Sequence, residues 1–158
     1  MRYSLIPVVA SIAFFGVVGC QRGESEAEIQ ARKDSAQADS AQMVEGMYDA
    51  AVFDTITWES PQARLERGAV VYRSSCAKCH GPNGGGNGDD AMQHQIKVPS
   101  FLAPNWRYAG DIEAIRHAIF VGHVGGWMPE WGIVGLKYKD VDAVAAYVAE
   151  TLAPKPGQ

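Results

Sequence analysis

The residues with the strongest chemical potential stand together in Cys76-Ala77-Lys78-Cys79-His80. Side chains three positions apart project the same way from a helical turn. Both thiols can therefore reach one edge of a flat macrocycle and form thioethers with its two vinyl groups. His80 follows one residue later, rotated round the helix, so its imidazole can address a central metal from one face. Cys-x-x-Cys-His in this order reads as covalent attachment of a c-type haem, with His80 as the proximal iron ligand. Two other uses fit less well. A thioredoxin-like dithiol wants a βαβ setting, and no stretch alternates well enough to be a strand. A structural zinc site needs four ligands from separate directions, and there is no second Cys pair.

A haem held by one imidazole needs a sixth ligand or an open position. Met128 is the best candidate, within Gly125-Gly126-Trp127-Met128-Pro129-Glu130-Trp131. Two glycines let the backbone bend close to a ring, and Pro129 stiffens the chain just after the thioether. Trp127 and Trp131 are large enough to shut water from the haem face. His/Met ligation raises the reduction potential relative to two imidazoles. His123 competes from the same glycine loop. His94 and Met92 are weaker rivals, and His117 falls off the apolar stripe of its helix. The run Gly81 to Gly88 lacks the Gly-Lys-Ser/Thr ending of a phosphate loop. It reads as a flexible turn leading away from the haem edge.

These residues need a scaffold, and three helices supply it. Ser60 then Pro61 is a start signal, and Leu65, Gly68, Ala69, Tyr72 and Cys76 follow at helical spacing. Asp111 caps a second helix whose buried stripe is Ile112, Ile115 and Ile119, ended by Gly122. A third runs from about Asp140 to Leu152 on Val141, Val144, Ala145, Val148 and Leu152, stopped by Pro154. Asp140 and Asp142 suit its positive end. The expected fold is a small all-α domain over residues 61–154, wrapped around one covalent haem and followed by a short tail, 155–158.

The chain before this domain has another character. Arg2 and the apolar run Leu5 to Val18 read as an export signal over residues 1–19, too short to span a bilayer comfortably. Val17-Val18-Gly19-Cys20 resembles the lipobox of bacterial lipoproteins, which implies lipid on Cys20. Residues 20 to about 42 are polar and read as a tether, within a leader segment of 20–60. Cys20 to Ser60 carries three Lys/Arg against nine Asp/Glu, whereas residues 61–158 carry ten against nine. As a flexible coil, the leader's roughly forty residues would reach about 35 Å. Residues 43–58 are too apolar for a plain linker, with Met43, Val44, Met47, Tyr48, Val52, Phe53, Ile56 and Trp58. They either wrap the domain or dock on a partner. Overall charge is -4, with no basic stripe to hold nucleic acid.

The region from about Pro61 to Pro154 resembles a class I cytochrome c domain. The likeness rests on the helix running into Cys-x-x-Cys-His-Gly, the glycine-rich loop, the Met128-Pro129-Glu130-Trp131 segment and a last helix carrying Tyr147. It implies that first and last helices cross closely, Gly68 and Tyr72 meeting Val144 and Tyr147. It also implies that a proline carbonyl, Pro99 by chain order, accepts the proximal Nδ1 proton. Trp127 and Lys137 stand where a small residue and a Ser/Thr cap are more usual. Gly46-Met47-Tyr48-Asp49 faintly resembles the monohaem lipoprotein subunit of alternative complex III.

With both axial positions filled, one-electron transfer is what remains. The sequence therefore implies an electron carrier, not an enzyme, exported and lipid-anchored on the periplasmic or outer side of a bacterial membrane. Its partners would be a quinol-oxidising complex or dehydrogenase and a terminal oxidase or reductase. A fixed cytochrome subunit of a respiratory complex, alternative complex III-like or oxidase-associated, is the second reading. A haem sensor or enzyme with a labile sixth ligand is the third.

Overall fold

The computed structural model describes residues 24–153. The expected export signal, Cys20 and the tail 155–158 lie outside them, as does Pro154. Among the described residues eight helices follow in order: α1 Glu26–Met47, α2 Ala51–Asp54, α3 Pro61–Val71, α4 Ala77–His80, α5 Asp89–Gln93, α6 Ile112–Val121, α7 Trp131–Val134 and α8 Tyr138–Tyr147. Wider π-type turns, Tyr72–Cys76 and Val148–Leu152, carry α3 into α4 and extend α8. No strand occurs among the described residues, so the all-α expectation holds.

The three expected core helices form for the expected reasons. Ser60 Oγ accepts from the Ala63 N–H at 3.0 Å, with Pro61 at the first helical position. Asp111 accepts from Ala114 N–H at 2.9 Å, and Gly122 ends α6 at φ +61°. Lys137 precedes α8 without a side-chain cap bond, so that helix starts two residues ahead of Asp140.

α3 and α8 cross backbone to backbone. A Cβ added to Gly68 would stand 2.1 Å from the Ala143 carbonyl oxygen and 2.7 Å from the Tyr147 Cβ. Tyr72 meets the Tyr147 ring at 5.6 Å, as the resemblance implies, while Ala143 rather than Val144 faces the glycine. α6 lies across α8, and Ile115, Ile119, Phe120, Val141, Val144, Val148 and Tyr72 make the core with Phe53 and Phe101.

Asp142 is not a solvated end charge. It is 2% exposed and holds four segments together. Its carboxylate accepts from Arg64 Nε and Nη2 on α3 at 2.9 and 2.7 Å. It accepts also from Arg116 Nη2 on α6 at 2.6 Å and from Trp58 Nε1 at 2.7 Å. Burial pushes its pKa up, but the bonds from Arg64, Trp58 and Arg116 outweigh that and hold it below the ordinary aspartate value.

The leader differs from a coil. Glu26–Met47 is a helix of 22 residues, a rod of about 33 Å. A capping box starts it: Ser25 Oγ accepts from Glu28 N–H while Glu28 accepts from Ser25 N–H at 2.7 Å. Polar residues that cannot build a core are here also strong helix formers, Ala, Glu, Gln, Lys and Arg. Residues 43–58 wrap the body. Phe53 is buried, Tyr48 packs on Phe120 at 5.4 Å and donates to Glu113, and Tyr138 donates to the Met47 carbonyl at 3.0 Å. Met43 and Met47 stay exposed.

Replacing Asp142 by Ala strands two half-buried guanidinium groups and should cost about 3–5 kcal/mol in urea unfolding. In the native protein the depressed carboxyl contributes fully above its ordinary pKa, about 3.9. That contribution should fade as pH falls below this value. Wild type and Asp142→Ala should therefore converge in stability on acidification.

Candidate functional site

Cys76 ends the wide turn that follows α3, and Cys79 and His80 lie on α4. The Ala77 N–H bonds to the Tyr72 carbonyl, five residues back. That extra residue re-aims Cys76 relative to the face that packs on α8. Tyr72 is fully buried, and its hydroxyl donates to the Gly81 carbonyl at 2.7 Å. The helix crossing at Gly68 is thus tied directly to the end of the Cys-His segment.

The glycine run is a closed cradle, not a flexible turn. Gly86 N–H donates to His80 O at 2.8 Å, and Gly88 N–H donates to Cys79 O at 3.1 Å. A Cβ on Gly88 would lie 2.1 Å from the Lys78 carbonyl oxygen, and one on Gly86 would lie 2.4 Å from that of Val98. Gly81, Gly84 and Gly86 all have φ near +80°. Left-handed backbone and close approach require glycine here, and both draw the loop onto α4.

Burial sets the protonation of all three residues. Desolvation pushes the Cys76 thiol up to about 12, and it also raises Cys79, with Asp90 adding to the effect. Thiols held protonated are poor redox nucleophiles or zinc ligands. Burial pushes His80 down to about 4, so its imidazole is neutral at ordinary pH with a lone pair free for a metal. The Pro99 backbone faces the ring and favours its charged form, the weaker effect. Nδ1 is nevertheless buried with no partner in hydrogen-bond geometry, so Pro99 lies where the resemblance puts it without closing the bond.

Sequence reading missed Phe101. Its buried ring stacks on His80 with centroids 4.6 Å apart, and its N–H donates to Gly84 O at 2.8 Å. Trp106 packs behind it at 4.9 Å. A lone aromatic after Val98-Pro99-Ser100 carries no periodic signal, so only the folded loop reveals the contact.

Met128 is half-buried against the same apolar cluster that Cys76 and Ala77 touch. Its carbonyl accepts from His123 N–H at 2.9 Å, closing the loop that follows α6. His123 is exposed and folds over its own loop at Gly126. His117 meets Glu45 at 2.7 Å on the outer side of α6, and His94 and Met92 are exposed. Trp131 packs on the core, but Trp127 does not seal a buried face. It is 64% exposed and stacks on His94 at 5.5 Å, because the turn at Gly125, φ +74°, points the chain outward.

These residues fit a covalent haem. The thiols of Cys76 and Cys79 are free, the His80 ring is neutral and oriented by Phe101, and its buried Nδ1 lacks a partner. Among the described residues no cluster of three or more His, Cys, Asp or Glu side chains offers a competing metal site.

A helical body of this kind, its first core helix running straight into Cys-x-x-Cys-His, is that of a c-type cytochrome domain. The chain belongs to the family described as cytochrome C oxidase, cbb3-type, subunit III, which matches residues 63–148, more than half of it. It is 33% identical over 90 residues to the cbb3-type cytochrome c oxidase subunit FixP of Azorhizobium caulinodans, covering 57% of this chain and 27% of that one. It is 32% identical over 114 residues to subunit CcoP of Rhodobacter capsulatus, covering 69% and 33%. For CcoP of Cereibacter sphaeroides the values are 31% over 81 residues, 51% and 25%. The chain thus spans about a quarter to a third of the length of these relatives. No solved structure matches it. Among the described residues no helix is long and apolar enough to cross a membrane.

Tyr72→Phe removes one buried donor while Gly84 N–H still reaches the Gly81 carbonyl at 3.3 Å. It should cost about 1 kcal/mol in chemical denaturation. Gly88→Ala, which forces a methyl onto the Lys78 carbonyl, should cost more and lower the yield of haem-loaded protein.

Proposed function

We propose that this chain is a cytochrome c that passes single electrons to a membrane-bound terminal oxidase of the cbb3 type, as an associated subunit rather than a freely diffusing carrier. The observation that carries this is the family match over residues 63–148, which takes in both the Cys76–His80 segment and Met128. Between the two readings taken from sequence, the tethered shuttle and the fixed oxidase-associated subunit, the relatives favour the second.

The chain carries a single Cys-x-x-Cys-His, so one haem is proposed. Bound haem supplies reversible one-electron exchange between ferric and ferrous iron. Cys76 and Cys79 would fix one edge by thioethers. His80 would give the proximal nitrogen, held in plane by Phe101 and kept neutral by burial. Met128 would give the sixth ligand, a soft neutral sulfur that favours the ferrous state. His123, exposed on its loop, is the poorer candidate for that position. Lipid on Cys20 would hold the domain at the outer side of a bacterial membrane, with α1 as the spacer.

Membranes solubilised in mild detergent provide the test. The haem-bearing chain should migrate with a terminal oxidase; a monomer released free of any large complex would return the free carrier to first place. Met128→Ala should abolish the weak far-red sulfur band of the oxidised protein and let the reduced protein bind carbon monoxide. Cys20→Ser should move the haem protein from the membrane to the soluble exported fraction.

A further inference from the structure

We infer that α1 is a clamp on the loop carrying Met128, and that Gln37 is the positioning residue through which it grips. The inference rests on the proposed ligation by Met128 and adds a control on it.

α1 has little hydrophobic reason to lie where it does. Of its 22 residues only Val44 is buried. Apart from the Met47 carbonyl at its C-terminal end, which accepts from Tyr138 O–H at 3.0 Å, two polar contacts hold the rest. Gln37 Nε2 donates to the Val124 carbonyl at 2.8 Å, and Glu45 meets His117 Nε2 at 2.7 Å. Between them runs a groove of about 520 Å³, lined on the helix side by Asp34, Ala38 and Ala41 and on the other by Val121 to Val124. Helix and body are therefore not close-packed there. A contact so sparse can open without disturbing the core, and each bond carries a large share of it.

The grip falls on one particular loop. Gly122 ends α6, His123 N–H donates to Met128 O, and Gly126 N–H donates to His123 O at 2.7 Å. Val124 and Gly125 form the tip of this closed loop and Met128 its base. Gln37 fills the notch that glycine leaves: a Cβ on Gly125 would stand 2.3 Å from Gln37 Nε2. The left-handed backbone of Gly125, φ +74°, is thereby held under the Gln37 amide. Motion of the tip passes to Met128 through the His123–Met128 bond. Docked α1 then favours the closed loop and undocked α1 releases it, which is a shift between two populations. Because α1 leads back toward Cys20, the pose of the domain on its anchor would bias the sixth position.

The test uses the full-length, haem-loaded protein. Gln37→Ala removes the donor. Gln37→Glu keeps the volume but sets a carboxylate against the Val124 carbonyl. Gln30→Ala is the control, since among the described residues the Gln30 amide bonds to Asp34 within α1, at 2.7 Å, and not to the body. Losing one such bond should raise the population of the open loop roughly five-fold. Gln37→Ala and Gln37→Glu should therefore lose the far-red sulfur band at lower denaturant than wild type. They should also bind carbon monoxide faster when reduced, and exchange amide hydrogens faster over residues 123–128. The helical unfolding midpoint should stay put, and Gln30→Ala should match wild type in every readout.

Wild-type band, carbon monoxide rate and loop exchange in both Gln37 variants and in Gln37→Ala/Glu45→Ala would sink the clamp alone. A wild-type protein with no sulfur band would sink the Met128 reading, and with it a clamp acting on ligation.

Discussion

At Gly68 there is no room for one more carbon, and that constraint organises the rest of the molecule. The Ala143 carbonyl occupies the space a side chain would fill. Fixing this point fixes what lies a turn away on either side. Arg64 comes within reach of Asp142, and Tyr72 settles against Tyr147. From Tyr72 the constraint passes to the Gly81 carbonyl and so to the end of the Cys76–His80 segment. One backbone contact between helices far apart in sequence thereby sets the aim of the Cys76–His80 segment.

The ion cluster at Asp142 secures the opposite end of the crossing. Two arginines and an indole N–H surround one buried carboxylate, from α3, α6 and the leader. Such a cluster contributes little net stability against an apolar equivalent, but its bonds are directional and penalise other registers. In a body this small, whose apolar core is modest, a polar knot that admits one arrangement of three helices is an effective way to choose it. Residues 48–58 complete that body: Phe53 enters the core and Trp58 joins the knot, so the packed unit begins ahead of residue 61.

Around the Cys-His segment, desolvation and close approach act together. Burial keeps the imidazole neutral and the thiols protonated, while the glycine cradle and Phe101 remove the freedom of the loop and the ring. A neutral, oriented imidazole beside two free thiols is the donor set that a covalent haem takes. Membership of the cbb3-type subunit III family agrees with that chemistry. The tip of the loop that carries Met128 is held from outside by α1, through Gln37 and the Val124 carbonyl.

Much of this was legible in local spacing. The Cys-x-x-Cys-His order, the Ser60-Pro61 and Asp111 starts and the Gly122 stop act within one or two turns of backbone, so residue order alone specifies them. The capping box at Ser25 and Glu28 is equally local, but a low apolar content reads as coil unless helix propensity is weighed as well. Partners brought from a distance were not legible. Asp142 reads as a dipole-compensating charge until Arg64, Arg116 and Trp58 converge on it. The glycine run reads as slack until Val98 and Lys78 close upon it, and Trp127 reads as a shield until its turn points it at His94. In each case the side chain's role depends on the dielectric and the neighbours it meets, and those come into being only when the helices cross.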